Sequence, residues 1–182
     1  MKKKLIAWLL VICMAISLLP AAALADTAAT SGKCGDNVTW VFSNDGTLTI
    51  SGKGKMWDYG TTHGYAPWTI WSSRAISDNL KRIVIEEGVE SIGDEAFPSL
   101  DYVESVEIAN TVTSIGAGAF SSTKISSINL PNGVTTIGQY AFKSTSLKTI
   151  TLPDSVTSVG YGAFEYCESL ASATLSNGLK KL

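Results

Sequence analysis

The 182-residue chain carries 14 Lys and Arg against 16 Asp and Glu, with 45% hydrophobic residues. That apolar share supports a packed core, while a net charge of −2 argues against nucleic acid, whose affinity rests on Lys and Arg against phosphates. A single histidine excludes a metal centre built on several imidazoles.

Residues 1–25 read as a secretory signal peptide. Lys2, Lys3 and Lys4 precede an apolar run from Leu5 to Leu19, followed by Pro20 and the small-residue site Ala23-Leu24-Ala25. Cleavage falls before Asp26. The run is short of the roughly 20 residues that span a bilayer, so no membrane span is expected after cleavage. Ile12 ahead of Cys13 does not fit a lipoprotein. Losing three lysines leaves 11 basic and 16 acidic groups, net about −5, which also disfavours anionic membrane surfaces.

Residues 26–31 read as a flexible leader, and residues 32–79 as an N-terminal cap and link. Val38 to Ser43 and Thr47 to Ser51 flank Asn44-Asp45-Gly46, the signal of a β-hairpin. Packed on Leu80, Ile83 and Ile85, that hairpin would cover the first repeat. Seven of the 16 aromatic residues lie between Trp40 and Trp71. Such rings serve burial first. Exposed instead, Trp57, Tyr59 and Trp68 would make a platform for the sugar rings of a polysaccharide. Thr61 to Pro67 reads as a loop, and Trp68 to Asn79 as a short helical or irregular link.

Residues 80–182 repeat one phrase, four times in full and a fifth time truncated. Phe97, Phe120, Phe142 and Phe164 stand 23, 22 and 22 residues apart. Such a period specifies a solenoid, whose units bury their apolar faces only against one another. Each unit opens with L-x-x-I-x-I, as in Leu80, Ile83 and Ile85, and its last two apolar positions alternate as in a strand. Pro131 and Pro153 follow where a strand can end. V-x-x-I-G comes next, its glycine (Gly93, Gly116, Gly138, Gly160) allowing either a positive φ or a close backbone approach. Ala-Phe closes the unit in a short helical turn. The fold class is therefore a mainly β repeat solenoid of 22–23-residue coils with short helical turns, preceded by a β-hairpin cap.

Stacked coils align equivalent residues. The Phe residues should form a buried column, and the outward strand positions a sheet face. The candidate binding face is Glu107, Ser127, Asn129, Thr149, Thr151, Ser172 and Thr174, hydroxyl-rich and almost uncharged. Other candidates carry no chemistry. His63 belongs to a loop, and Gly52-Lys53-Gly54 lacks the rest of a phosphate loop. Glu86-Glu87 and Asp94-Glu95 have no partners at calcium-loop spacing. Cys34 and Cys167 belong to cap and fourth coil, too far apart for a disulfide, and Cys167 reads as a small buried apolar residue.

The consensus L-x-x-I-x-[IL]-P-x-x-V-x-x-I-G-x-x-A-F from Leu80 onward resembles the BspA-like family of bacterial leucine-rich repeats. Its usual cysteine three residues after the Phe survives only as Cys167, with Leu100, Thr123 and Thr145 in the other copies. The resemblance implies a leucine-rich-repeat fold and a secreted or bacterial cell-surface adhesion module, without catalytic residues or cofactor. Its partner would be an extracellular protein or host matrix component. The fifth repeat stops at Leu182 without its G-x-x-A-F, which reads as the front part of a longer protein, with a self-associating end as the alternative. On the longer reading, the repeats could also be the targeting arm of an enzyme whose catalytic domain lies further on.

Overall fold

The computed structural model describes residues 30–180; the signal peptide, positions 26–29 of the leader and residues 181–182 lie outside them. The chain enters through β1 (Thr30–Lys33), β2 (Val38–Phe42) and β3 (Thr47–Gly52), an antiparallel meander. Its second turn forms as the sequence specifies. Gly46 takes φ 84°, and the Asp45 carboxylate accepts the Thr47 N–H at 3.0 Å. Thr30 and Ser31 are not flexible leader: they pair with Phe42 and Val41 in β1.

The cap does more than cover the repeats. β3 runs parallel to β5 (Arg82–Ile85), which follows β4 (Gly54–Lys55) and the four-residue helix α1 (Arg74–Ser77). Leu48 lies opposite Ile83, and Ile50 opposite Ile85. β4 pairs in parallel with β6 (Val89–Ile92). Trp68 stacks on Phe97, ring centroids 5.4 Å apart, and its indole N–H donates to the Ala96 carbonyl at 2.7 Å. Residues 47–79 are thus an additional coil, with Trp68 in the place of the repeat Phe. Strand β3 of the hairpin covers Ile83 and Ile85 as expected and is at the same time the first part of that coil, with β2 and β1 extending the sheet beyond it.

The remaining strands follow the repeat. β7 (Ser105–Ile108), β10 (Thr149–Thr151) and β12 (Ser172–Thr174) continue the first row. β8 (Ser114–Ile115), β9 (Thr136–Ile137) and β11 (Ser158–Val159) continue the second. The second row forms one parallel sheet in the order β11-β9-β8-β6-β4, aligning Ile92, Ile115, Ile137 and Val159. The first row is interrupted. β1-β2-β3-β5-β7 form one sheet and β10-β12 another, because residues 124–131 form no strand despite burying Ile125 and Leu130. Only isolated bonds flank that segment, such as Lys148 N–H to the Ser126 carbonyl at 3.1 Å.

Between the rows runs the core. Phe97, Phe120 and Phe142 are fully buried, and successive rings from Phe97 to Phe164 stack at 5.4, 5.5 and 5.5 Å. The Ala-Phe segments close each coil in short turns whose N–H groups alternate in direction. Ala141 donates within its own turn to Gly138 (3.4 Å), whereas Phe142 donates across to Ala163 (2.8 Å).

Two sets of positions set the coil spacing. Gly116, Gly138 and Gly160 do not need a positive φ. A Cβ on them would lie 2.5, 2.5 and 2.4 Å from backbone atoms of the preceding coil, so they serve close approach. Two residues further on, Glu95, Gly118, Tyr140 and Gly162 all adopt the left-handed conformation, with φ of 47°, 60°, 55° and 62°. The large residues lie over the glycines. A Cβ at Gly118 would sit 2.1 Å from Glu95 Oε1, and one at Gly162 2.4 Å from Tyr140 Cε1.

Phe120→Ala should destabilise the protein by about 3 kcal/mol or more, because both neighbouring rings lose a stacking face. Chemical denaturation should place Ser127→Ala within about 0.5 kcal/mol of the parent. Gly138→Ala should cost about 1–3 kcal/mol, since backbone rather than a mobile side chain occupies the space.

Candidate functional site

Strand alternation places one set of side chains in the core and the next in solvent. Parallel register then lines the outward set into rows. Arg82 lies beside Ser105, and Val84 beside Glu107; Thr149 lies beside Ser172, and Thr151 beside Thr174. All seven positions of the predicted face are exposed. Glu107 in β7 is engaged by Arg82 in an ion pair. Ser127 and Asn129 lie on the segment without a strand, so the face is not one continuous ladder. Thr149, Thr151, Ser172 and Thr174 form the ordered pair of rows on β10 and β12.

The rows also run into the cap, where the sequence reading did not extend them. Thr47 lies beside Arg82 and Thr49 beside Val84, and the Thr39 and Ser51 hydroxyls approach to 3.4 Å. The alternation of Leu48 and Ile50, matching Ile83 and Ile85, was the available signal. At the far end of these strands an open cavity of about 480 Å³ lies among Val84, Glu86, Glu87, Glu107 and Ala109.

The cap aromatics divide differently from expectation. Trp68 is 0% and Tyr59 4% exposed, edge to face at 5.9 Å, because they fill the core of the additional coil. Burial pushes the Tyr59 phenol above its ordinary range. Trp57 is half-buried, stacked on His63 at 4.8 Å and donating to the Asp36 carboxylate at 3.3 Å. These three rings therefore make no common platform. The exposed rings are Tyr65 (60%) and Trp71 (50%), stacked on each other at 5.2 Å. Tyr140, Tyr161 and Tyr166 form a second group. There the Lys143 ammonium lies 4.7 Å from the Tyr140 centroid and 5.2 Å from that of Tyr166. Its hydrogen bond to Glu165, at 2.8 Å, holds it above the ordinary lysine range. Nothing in the aromatic spacing distinguishes inward from outward rings; only the register of the additional coil does.

Cys34 and Cys167 are both free thiols. Burial pushes Cys34 up to about 12. Cys167 is half-buried rather than buried, and it is a donor rather than an apolar filler. Its thiol donates to the Phe142 carbonyl of the preceding coil at 3.0 Å, whereas the Thr123 hydroxyl donates within its own coil to Phe120 at 2.9 Å. Among the described residues, no group of three or more His, Cys, Asp or Glu gathers to hold a metal ion, and no helix is long and apolar enough to cross a membrane.

Residues 74–182 match the BspA type leucine rich repeat region, in six copies. No curated protein sequence gives a significant match. Among solved structures, a leucine-rich repeat protein from Eubacterium ventriosum is 28% identical, with a TM-score of 0.64 over 83% of this chain and 45% of its own. One from Bacteroides ovatus is also 28% identical, with a TM-score of 0.54 over 81% of this chain and 42% of its own. The leucine-rich repeat protein of T. pallidum is 25% identical, with a TM-score of 0.54 over 79% and 71%. The chain thus spans less than half the length of the first two.

The thiol environments differ enough to measure. Ellman's reagent at about pH 8 should titrate Cys167 in the folded mature protein and Cys34 only after unfolding. Rapid labelling of both would show the additional coil to be open.

Proposed function

This chain belongs to the BspA type leucine-rich repeat family, and from that premise we propose that it is an exported, non-catalytic adhesion module binding an extracellular protein or host matrix component. The N-terminal signal sequence supports export to the cell surface or medium. Fold alone does not set function, so the binding reading rests on the site.

The observation that carries it is the register. Thr149 beside Ser172 and Thr151 beside Thr174 hold exposed hydroxyl groups in rows one strand spacing apart, on a scaffold fixed by the core column. Short polar side chains on a rigid sheet lose little entropy on contact and can donate or accept, which suits many weak bonds to a partner surface. Thr47 and Thr49 hold equivalent outward positions in the cap, on the other sheet of the first row. Contacts gathered over several coils mean that a row should matter more than any of its members.

The variant Ser127→Lys, Thr149→Lys, Ser172→Lys places two long cations side by side on β10 and β12 and a third on the adjoining segment that forms no strand. Retention on an immobilised extracellular-matrix preparation should be lost through steric and charge mismatch. Stability should shift by less than about 0.5 kcal/mol per site, since all three side chains face solvent. Unchanged retention by the folded variant would remove this face from the binding reading.

A further inference from the structure

The strongest unabsorbed feature lies at the junction of the additional coil and the first repeat. There Tyr59, Gly60, Tyr65, Trp71, Glu95 and Pro98 line a cavity of about 330 Å³. Tyr65 and Trp71 present flat rings to solvent, tilted by 25° to one another. The carboxylate in the same cavity is unusual. Among the described residues no hydrogen bond or ion pair reaches the Glu95 side chain, whereas neighbouring Asp94 accepts the Ala117 N–H at 2.6 Å. Burial, and then the charge of Asp94, hold the Glu95 carboxyl above the ordinary carboxylate range. The side chain is exposed, carried by a left-handed backbone and laid across Gly118.

On the repeat side of the cavity the charges are of one sign, while Arg74, exposed in α1, is the nearest cation in sequence to Trp71. Eight acidic residues lie from Glu86 to Glu107, and no Lys or Arg occurs between Arg82 and Lys124. Arg82 is itself committed to Glu107. An unpaired, partly desolvated carboxylate beside two open aromatic faces selects a flat cation. A guanidinium can stack on an indole or phenol ring while its edge pairs with a carboxylate; a compact ammonium offers only its charge, and a neutral sugar leaves the carboxylate charge unmatched.

We propose that this cavity receives an arginine side chain of the partner protein, its guanidinium stacked on the Tyr65–Trp71 pair and hydrogen-bonded to Glu95. The proposal rests on the protein-binding reading above and names the partner's chemistry: a basic segment passing over the acidic first two repeats. The hydroxyl rows would hold the partner's extended surface, and the pocket would fix its position along the solenoid.

The test follows the Trp71 indole N–H by NMR in the mature protein, assigned with Trp71→Phe. Titrants are N-acetyl-arginine amide, N-acetyl-lysine amide and a neutral glucan oligosaccharide. Arginine amide should move the Trp71 resonance saturably, with lysine amide several-fold weaker and the glucan without effect. Glu95→Gln should weaken the arginine response about tenfold, the loss of one charge-assisted hydrogen bond. Unmoved indole signals of Trp40, Trp57 and Trp68 would show that variant to be folded. The pocket proposal is overturned if arginine amide leaves Trp71 unmoved, if folded Glu95→Gln responds like the parent, or if only the glucan acts. The triple-lysine face variant separates the two readings. It should keep the arginine response while losing matrix retention, and a failed arginine response with retention still face-dependent would overturn the pocket alone.

Discussion

How closely one coil can approach the next governs everything else in this protein. Parallel pairing and stacked rings hold equivalent residues about one strand spacing apart. At that distance any side chain on Gly116, Gly138 or Gly160 would occupy the backbone of the preceding coil. The ring column, with centroids 5.4 to 5.5 Å apart, fits the same spacing. No coil could bury its Phe alone, since both faces of the ring are covered by neighbours. Stability is therefore shared along the stack, and damage to one coil is felt mainly by the two beside it.

The same constraint separates what the surface can change from what the core cannot. Outward positions on the strands touch no neighbouring coil's interior, so Ser, Thr, Glu or Val can occupy equivalent places, as Thr49, Val84 and Glu107 do. Chemistry can be written there without disturbing the stack. The turn edge is less permissive. A residue in the left-handed conformation bears a cost unless it is glycine, so Glu95 and Tyr140 are held there by the coils around them. The backbone from which acidic and aromatic side chains project on that edge is therefore set by the stack.

Much of this was legible in the residues. A 22–23-residue period, a Phe in each full copy and alternating apolar positions predict a stacked solenoid with a buried column, and that is the architecture found. The Asn44-Asp45-Gly46 turn was equally plain. The additional coil was hidden because its ring is a Trp and lies 29 residues ahead of Phe97, outside the repeat spacing. With that coil unseen, Tyr59 and Trp68 counted as possible surface rings, though they are core. The interruption at residues 124–131 was also illegible, since Ile125, Ile128 and Leu130 keep the strand pattern while the missing ladder depends on neighbouring coils. For the same reason nothing in the sequence marks Cys167 as a donor, since its acceptor, the Phe142 carbonyl, belongs to the preceding coil.

The pairing of large residues with glycines has a consequence for how such a chain can lengthen or shorten during evolution. In the left-handed column Glu95 rests on Gly118 and Tyr140 on Gly162, so bulk alternates with vacancy along successive coils. Loss of the Gly118 coil would set Glu95 over Tyr140, and loss of the Tyr140 coil would set Gly118 over Gly162. Loss of both together would set Glu95 over Gly162 and restore the complement. Although the sequence repeats every 22 or 23 residues, the pattern of large residue and glycine on this edge repeats only every two coils.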